Sequence, residues 1–296
     1  MIKGILAPVI TPFDEKGFVD EPMLRKLVDF FIEASVHGIF LLGSSGQGPV
    51  MSATERKRAA EIAIDHARSR IPVVVHVGTA DAQSTVELAI HAADRGASAV
   101  AVIPPYYYSD HKEYEIIAHF RSVSSAVSLP IFIYENPKYS GISVTPEFAA
   151  RMKEAIPSIR GIKVAYGKGD LVDYVRLFPP DVSVFTGNAD LFGTVPFGVA
   201  GMINPPTSFV PDLCVALWRS LQERQYEKAV TLQQRLNTAA RLVSAATRRY
   251  GRGATAEVFR MKGFAIRRYP KWDTEPMPVE SREALFRSLK NSGFLE

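Results

Sequence analysis

Short β-branched and apolar runs alternate with longer amphipathic stretches along most of the chain, always in the same order. That alternation is the signature of βα units around a parallel sheet. The apolar runs predict strands at Ile5–Ile10, Gly38–Leu42, Val73–Val77, Ala99–Ile103, Ile131–Tyr134, Gly161–Val164, Val182–Thr186 and Ala200–Asn204. Helical spacing predicts crossovers at Glu21–Ala34, Thr54–Arg68, Ala82–Arg95, Lys112–Val127, Pro146–Ala155, Leu171–Phe178, Asp190–Phe197 and Val210–Arg224. Boundary chemistry agrees: Thr54 and Glu55 open the second helix, Thr145 and Pro146 the fifth, and Gly38 and Gly96 follow helices.

Eight such units predict an α/β fold, a closed (β/α)8 TIM barrel over residues 1–225. A doubly wound open sheet is the competing solution, but its glycine-rich phosphate turn should follow the first strand, where Ala7–Phe13 reads APVITPF instead. Residues 226–296 read as three more helices, near Tyr226–Ala245, Ala254–Arg268 and Ser281–Ser292. They make a C-terminal three-helix extension rather than a second catalytic domain.

Composition narrows the setting. With 47% hydrophobic and 22% charged residues in 296 positions, and no low-complexity block, the chain reads as compact throughout. A single cysteine, Cys214, excludes an internal disulfide and a cysteine-rich metal site, and points to a reducing, cytoplasmic setting. The opening MIKGILAPVITPF does not fit a signal peptide, and no segment reaches the ~18 apolar residues of a membrane span, so no membrane partner is expected. The net charge of +4 is small, although Arg241–Lys271 is basic with only Glu257 against it. That stretch reads as a solvated or subunit-facing helical surface. Nucleic-acid binding is the sharper alternative, but neither a recognition motif nor an aromatic stacking platform supports it.

Barrels of this kind carry their chemistry at the C-terminal ends of the strands. The second strand ends in Gly43-Ser44-Ser45-Gly46-Gln47-Gly48, the fourth in Pro104-Pro105-Tyr106-Tyr107-Tyr108, the fifth in Tyr134-Glu135-Asn136-Pro137, and the sixth carries Lys163. A lysine inside the apolar run Gly161–Ala165 is unusual, because burying an ammonium is costly. A buried lysine loses its proton more readily, and a neutral amine can attack a ketone to form an imine. The plainer alternative pairs Lys163 with a carboxylate inside the barrel. Tyr134 could shuttle protons for imine chemistry or serve as a core aromatic. The Ser44-Ser45 turn could bind a carboxylate through hydroxyls and backbone NH groups, or be an ordinary turn.

With lysine, tyrosine and a GSSG turn at three strand ends in this order, the sequence resembles the dihydrodipicolinate synthase and N-acetylneuraminate lyase family of class I pyruvate aldolases. Thr11-Pro12-Phe13 matches the family's TPF segment, and residues 43–47 its G-[ST]-[ST]-G-E turn, with Gln47 in place of the acid. Pro105-Tyr106-Tyr107 matches its PYY, Tyr134–Pro137 its Y-x-x-P, and Gly161–Lys163 its GIK. The resemblance implies Lys163 as the Schiff-base lysine, Tyr134 as the proton-relay tyrosine, and Ser44 and Ser45 as carboxylate binders, with Ser45 as relay partner and Gly46 in the same turn. It implies Tyr107 as a relay tyrosine donated across a tight dimer, within a homo-oligomer assembled as a dimer of dimers. Gly187 and Ile203 match the lining of the pyruvate site, and Asn188 beside Gly187 is a further substrate-binding candidate. The substrates implied are a 2-oxo acid, pyruvate, and an aldehyde, and the covalent lysine imine takes the place of any cofactor or metal.

Two departures bear on the substrate. Dihydrodipicolinate synthases carry an arginine where this chain has Tyr139, and sialic acid lyases carry an acid where it has Ala189. Both named activities therefore fit less well than aldol cleavage, addition or dehydration of a 2-keto-3-deoxy sugar acid. The far side of the pocket would choose the substrate through Glu135, Asn136, Tyr139, Asn188 and Asn204. Metal-dependent aldol chemistry is a rival, but only His76 and His111 fall near the right face. A noncatalytic barrel, serving as ligand sensor or structural oligomer, is the remaining alternative.

Overall fold

The computed structural model describes residues 1–165 and 171–295. Strands β1 (Gly4–Pro8), β2 (Gly38–Leu41), β3 (Val73–His76), β4 (Ala99–Val102), β5 (Ile131–Glu135), β6 (Ile159–Val164), β7 (Ser183–Thr186) and β8 (Gly201–Met202) close into a barrel in sequence order, β8 pairing with β1. Every pairing is parallel. Around the strands run α1 (Glu21–Glu33), α2 (Ala53–Ala67), α3 (Ala82–Asp94), α4 (Glu113–Ala126), α5 (Pro137–Ser140), α6 (Pro146–Ala155), α7 (Leu171–Leu177), α8 (Pro206–Phe209) and α9 (Pro211–Gln222). The C-terminal helices α10 (Tyr226–Tyr250), α11 (Gly253–Met261) and α12 (Val279–Asn291) complete the chain. No helix among the described residues is long and apolar enough to cross a membrane.

Period-two alternation along the strands builds two cores. Outward residues such as Ile5, Ile39, Val75 and Ile133 pack under the helices. Inward residues, among them Leu6, Phe40, Val74, Phe132, Phe185 and Ile203, fill the barrel. The barrel is thus a packed plug, and only its strand ends can host chemistry. Helix starts are set by side-chain caps. Asp20 accepts from Met23 N, Asp81 from Ser84 N and Thr145 from Phe148 N, while Ser52 and Glu55 form a reciprocal capping box.

The seventh crossover differs from its predicted helix at Asp190–Phe197. It is a run of turns ending in a 3-10 turn at Val195–Phe197. The Gln233 side chain of α10 accepts from the amides of Leu191 and Phe192, at 3.0 Å each, and Asp190 Oδ1 accepts from Gly193 N at 2.8 Å. Amides that would start the helix are spent on side chains, and Pro196 supplies no amide of its own. The helix predicted at Ala254–Arg268 also stops early, at Met261, because Gly263 takes φ +84°. The chain then runs back so that Arg268 and Phe13 exchange backbone hydrogen bonds of 3.0 and 3.1 Å. This pairing draws the segment after α11 across to the loop that follows β1.

Candidate active site

Lys163 sits near the end of β6, directly opposite Tyr134 of β5 in the sheet register. Its residue is only 6% exposed. The Nζ atom stands 4.5 Å from the centre of the Tyr134 ring and 5.0 Å from that of Phe40. Among the described residues no carboxylate lies within ion-pair distance of it; the amine faces aromatic rings instead. The plainer reading of Lys163 as half of a buried ion pair therefore finds no partner here.

The phenol of Tyr134 accepts from Asn136 Nδ2 at 2.8 Å and meets Ser44 Oγ at 3.1 Å. Burial by itself raises a phenol's pKa. The Lys163 charge beside it, with hydrogen bonds from Ser44, Asn136 and Lys163, outweighs burial and holds Tyr134 below its ordinary value of 10. An oxygen that sheds its proton more easily while keeping two donors is suited to pass a proton back and forth. The serine that meets the Tyr134 hydroxyl is thus Ser44, whereas the resemblance suggested Ser45 as its partner. Ser45 instead presents its carbonyl to the Tyr269 hydroxyl at 3.0 Å, and its residue lines a neighbouring cavity.

The glycines of this turn are required by close packing. A Cβ on Gly46 would stand 2.7 Å from Leu42 N and 3.0 Å from Val9 O, and one on Gly48 would stand 2.1 Å from Leu42 O. Thr11 ties the turn down by donating to Gly46 O at 2.6 Å. Gln47 adopts φ +59°, is buried, and accepts from Lys271 N at 2.6 Å. The amide that replaces the family's acid thus joins the turn to the segment after α11.

On the β7–β8 side, Gly187 allows the chain to pass Ala165, whose Cα would lie 2.5 Å from an added Cβ. Asn204 donates to the Gly187 carbonyl, and Asn188 N donates to Thr186 Oγ1 at 3.0 Å. Ile203 is fully buried in the barrel plug beside Tyr134 and Phe185. It supports the floor of the site. Tyr107 is not brought to the site of its own chain: it is 86% exposed, its ring lies edge-on to Tyr108 at 5.1 Å, and its φ is +87°. That backbone setting costs a tyrosine about 1 kcal/mol or more.

Two residues at the site went unassigned from sequence. His76, at the end of β3, is buried with its ring edge-on to Tyr134 at 5.5 Å. Its Nδ1 donates to Leu42 O at 3.1 Å, which leaves Nε2 as a buried acceptor with no partner among the described residues. Burial, with the Arg56 and Lys163 charges nearby, takes its pKa down to about 3. The ring is neutral at physiological pH. His111 lies apart, 3.8 Å from Glu115.

The second is Arg252, which precedes α11 and belongs to the basic stretch read from sequence as outer surface. Its Nη1 donates to Ser44 O at 3.0 Å and its Nη2 to the Tyr139 hydroxyl at 2.8 Å. Burial works against its charge, but Tyr269 and Tyr139 outweigh it and raise the pKa above the ordinary value. Ser44, Tyr134, Tyr139, His76 and Arg252 line one cavity of about 220 Å3. Arg252, Ser44 and Tyr139 also border a second of about 750 Å3 that opens toward α10.

A buried strand-end lysine facing a hydrogen-bonded tyrosine on a closed (β/α)8 barrel is the arrangement expected for imine chemistry, and the comparisons show the family. The model of the dihydrodipicolinate synthetase family matches residues 1–258, and the chain belongs to that family. It is 34% identical over 242 residues to YagE of Escherichia coli (strain K12), provisionally named a 2-dehydro-3-deoxy-D-gluconate aldolase, covering 80% of each chain. It is equally 34% identical over 245 residues to the 4-hydroxy-tetrahydrodipicolinate synthase of Agrobacterium fabrum, covering 80% of this chain and 81% of that one. The crystal structure of YagE in complex with pyruvate superposes with a TM-score of 0.91 at 28% identity over 99% of both chains. The protein is a lyase of the class I, pyruvate-dependent aldolase type.

Proposed function

We propose that Lys163 forms an imine with pyruvate and that the derived enamine exchanges with an aldehyde, making or cleaving 4-hydroxy-2-oxo acids, the class that includes 2-keto-3-deoxy sugar acids. The observation that carries this reading is the buried Lys163 amine 4.5 Å from the ring of Tyr134, whose phenol is held by Ser44 and Asn136. The Lys163 amine adds to the ketone carbon, and the carbinolamine oxygen leaves as water after taking a proton through Tyr134 and Ser44. Loss of a C3 proton from the iminium gives the enamine. Attack of C3 on the aldehyde carbon forms the new bond while the aldehyde oxygen takes up a proton, and water then hydrolyses the imine to free Lys163. Run backwards, the same steps cleave the acid.

Pyruvate as the donor is supported by the pyruvate complex of YagE. Loss of a leaving hydroxyl from the same enamine, a dehydration, is the second outcome open to this machinery. We further propose that Tyr107 serves the site of a partner subunit in a tight dimer, a reading supported by its exposure and by its ring packing on Tyr108. The single cysteine supports a reducing, cytoplasmic setting.

Borohydride reduction in the presence of pyruvate, followed by peptide mass analysis, tests the proposal. A stable adduct on Lys163 that is absent in Lys163→Ala is expected. Failure to label Lys163 would refute the imine mechanism.

A further inference from the structure

Among the described residues half-buried Arg252 has no carboxylate beside it, and its charge is supported only by the hydroxyls of Tyr139 and Tyr269 and the carbonyl of Ser44. Its place immediately before α11 adds to the imbalance, since the amino end of a helix carries partial positive charge and disfavours a cation. Its five N–H groups outnumber the hydrogen bonds it makes to Ser44, Tyr139 and Tyr269. A buried guanidinium with donors to spare is stabilised by an anion, most strongly by a planar one that it can grip with two parallel hydrogen bonds.

The place where such an anion would sit is defined by the cavities. Arg252 borders both the cavity above Tyr134 and the larger one opening toward α10. Ser44 links it to the relay: the serine carbonyl takes the Arg252 hydrogen bond while the serine hydroxyl meets Tyr134. Between guanidinium and relay, the walls are mainly apolar, formed by Val50, Ile103, Tyr106 and Trp272. A substrate reaching from the relay to Arg252 thus passes its carbon chain along apolar surface and meets its main polar anchor at the far end.

We propose that Arg252 is a specificity-determining residue that binds a carboxylate, or a comparable anionic group, at the end of the aldehyde partner remote from the reacting carbonyl. This assignment rests on the pyruvate–imine reading above. It makes the aldehyde of choice a semialdehyde acid rather than a neutral aldehyde, and it assigns recognition to the C-terminal helices rather than to the loop after β5.

The test uses pyruvate as donor with two acceptors of equal chain length, succinic semialdehyde and butanal, and borohydride trapping of pyruvate on Lys163 run alongside. The intact enzyme is expected to favour succinic semialdehyde at least tenfold in kcat/KM. Arg252→Gln is expected to erase that preference by raising KM for succinic semialdehyde about tenfold or more, and Arg252→Lys to restore part of it. An unchanged preference in Arg252→Gln would overturn the assignment, as would equal losses for both acceptors that Arg252→Lys does not repair. A rise in KM for pyruvate alone would do the same, by moving the guanidinium to the donor side. If wild-type enzyme forms no trapped adduct, the imine reading has failed; if it forms the adduct but shows no preference for the acid, only the role of Arg252 has.

Discussion

Single side chains set the chemistry. Ser44 and Ser45 are adjacent and alike, yet only Ser44 reaches the Tyr134 hydroxyl, at 3.1 Å. Ser44→Ala is therefore expected to lower kcat about a hundredfold, as for loss of a proton relay, and Ser45→Ala to lower it much less. Steady-state kinetics of the two variants decides between them. His76 gives a prediction in pH. Its folded-state value of about 3 lies below the ordinary 6.5, so the unfolded chain takes up the proton first as pH falls. Its contribution to stability is complete above about 6.5 and is lost on acidification toward 3, at about 1.4 kcal/mol per pH unit. Urea unfolding between pH 7 and 5 should show this slope, and His76→Gln should flatten it.

Elements carry these side chains to one another. The parallel register of β5 and β6 sets Tyr134 opposite Lys163, and the turn after β2 brings Ser44 to Tyr134. That turn tolerates no side chain at Gly48, where a Cβ would stand 2.1 Å from a backbone oxygen. Gly48→Ala is expected to destabilise the fold by about 2–4 kcal/mol and to depress kcat by displacing Ser44. Denaturant unfolding together with kinetics would show both losses. The strands, most helices and the glycine-rich turn were legible because burial imposes periods of two and 3.6 on the sequence. The seventh crossover was not, because its competitor is Gln233 of α10, more than forty residues away.

At the scale of the whole molecule, the basic stretch from Arg241 to Lys271 changes meaning. Three of its charges find partners outside the stretch, Arg267 with Asp20, Lys271 with Glu55 and Arg268 with Asp273; Arg260 pairs with Glu257 within it, while Arg252 turns into the site. The proposed dimer makes a prediction of the same scale. When inactive Tyr107→Phe and Lys163→Ala subunits are mixed and allowed to exchange, half of the dimers should be hybrids with one intact site of two. About a quarter of wild-type activity should return. No recovery would place Tyr107 in the service of its own chain, and an active Tyr107→Phe variant would place it outside catalysis.

Read alone, the sequence determined the barrel and the placing of Lys163 and Tyr134 at its strand ends, while their roles were suggested only by the family resemblance. The placing follows from local rules, the periodicity of burial along strands and helices. Tertiary structure decided which of two neighbouring serines meets Tyr134, that His76 is a buried neutral acceptor, and that Arg252 reaches a pocket from the C-terminal helices. Each depends on contacts between residues far apart in the chain. Spacing along one segment cannot encode them, because they are set by how the closed barrel and its C-terminal helices pack together.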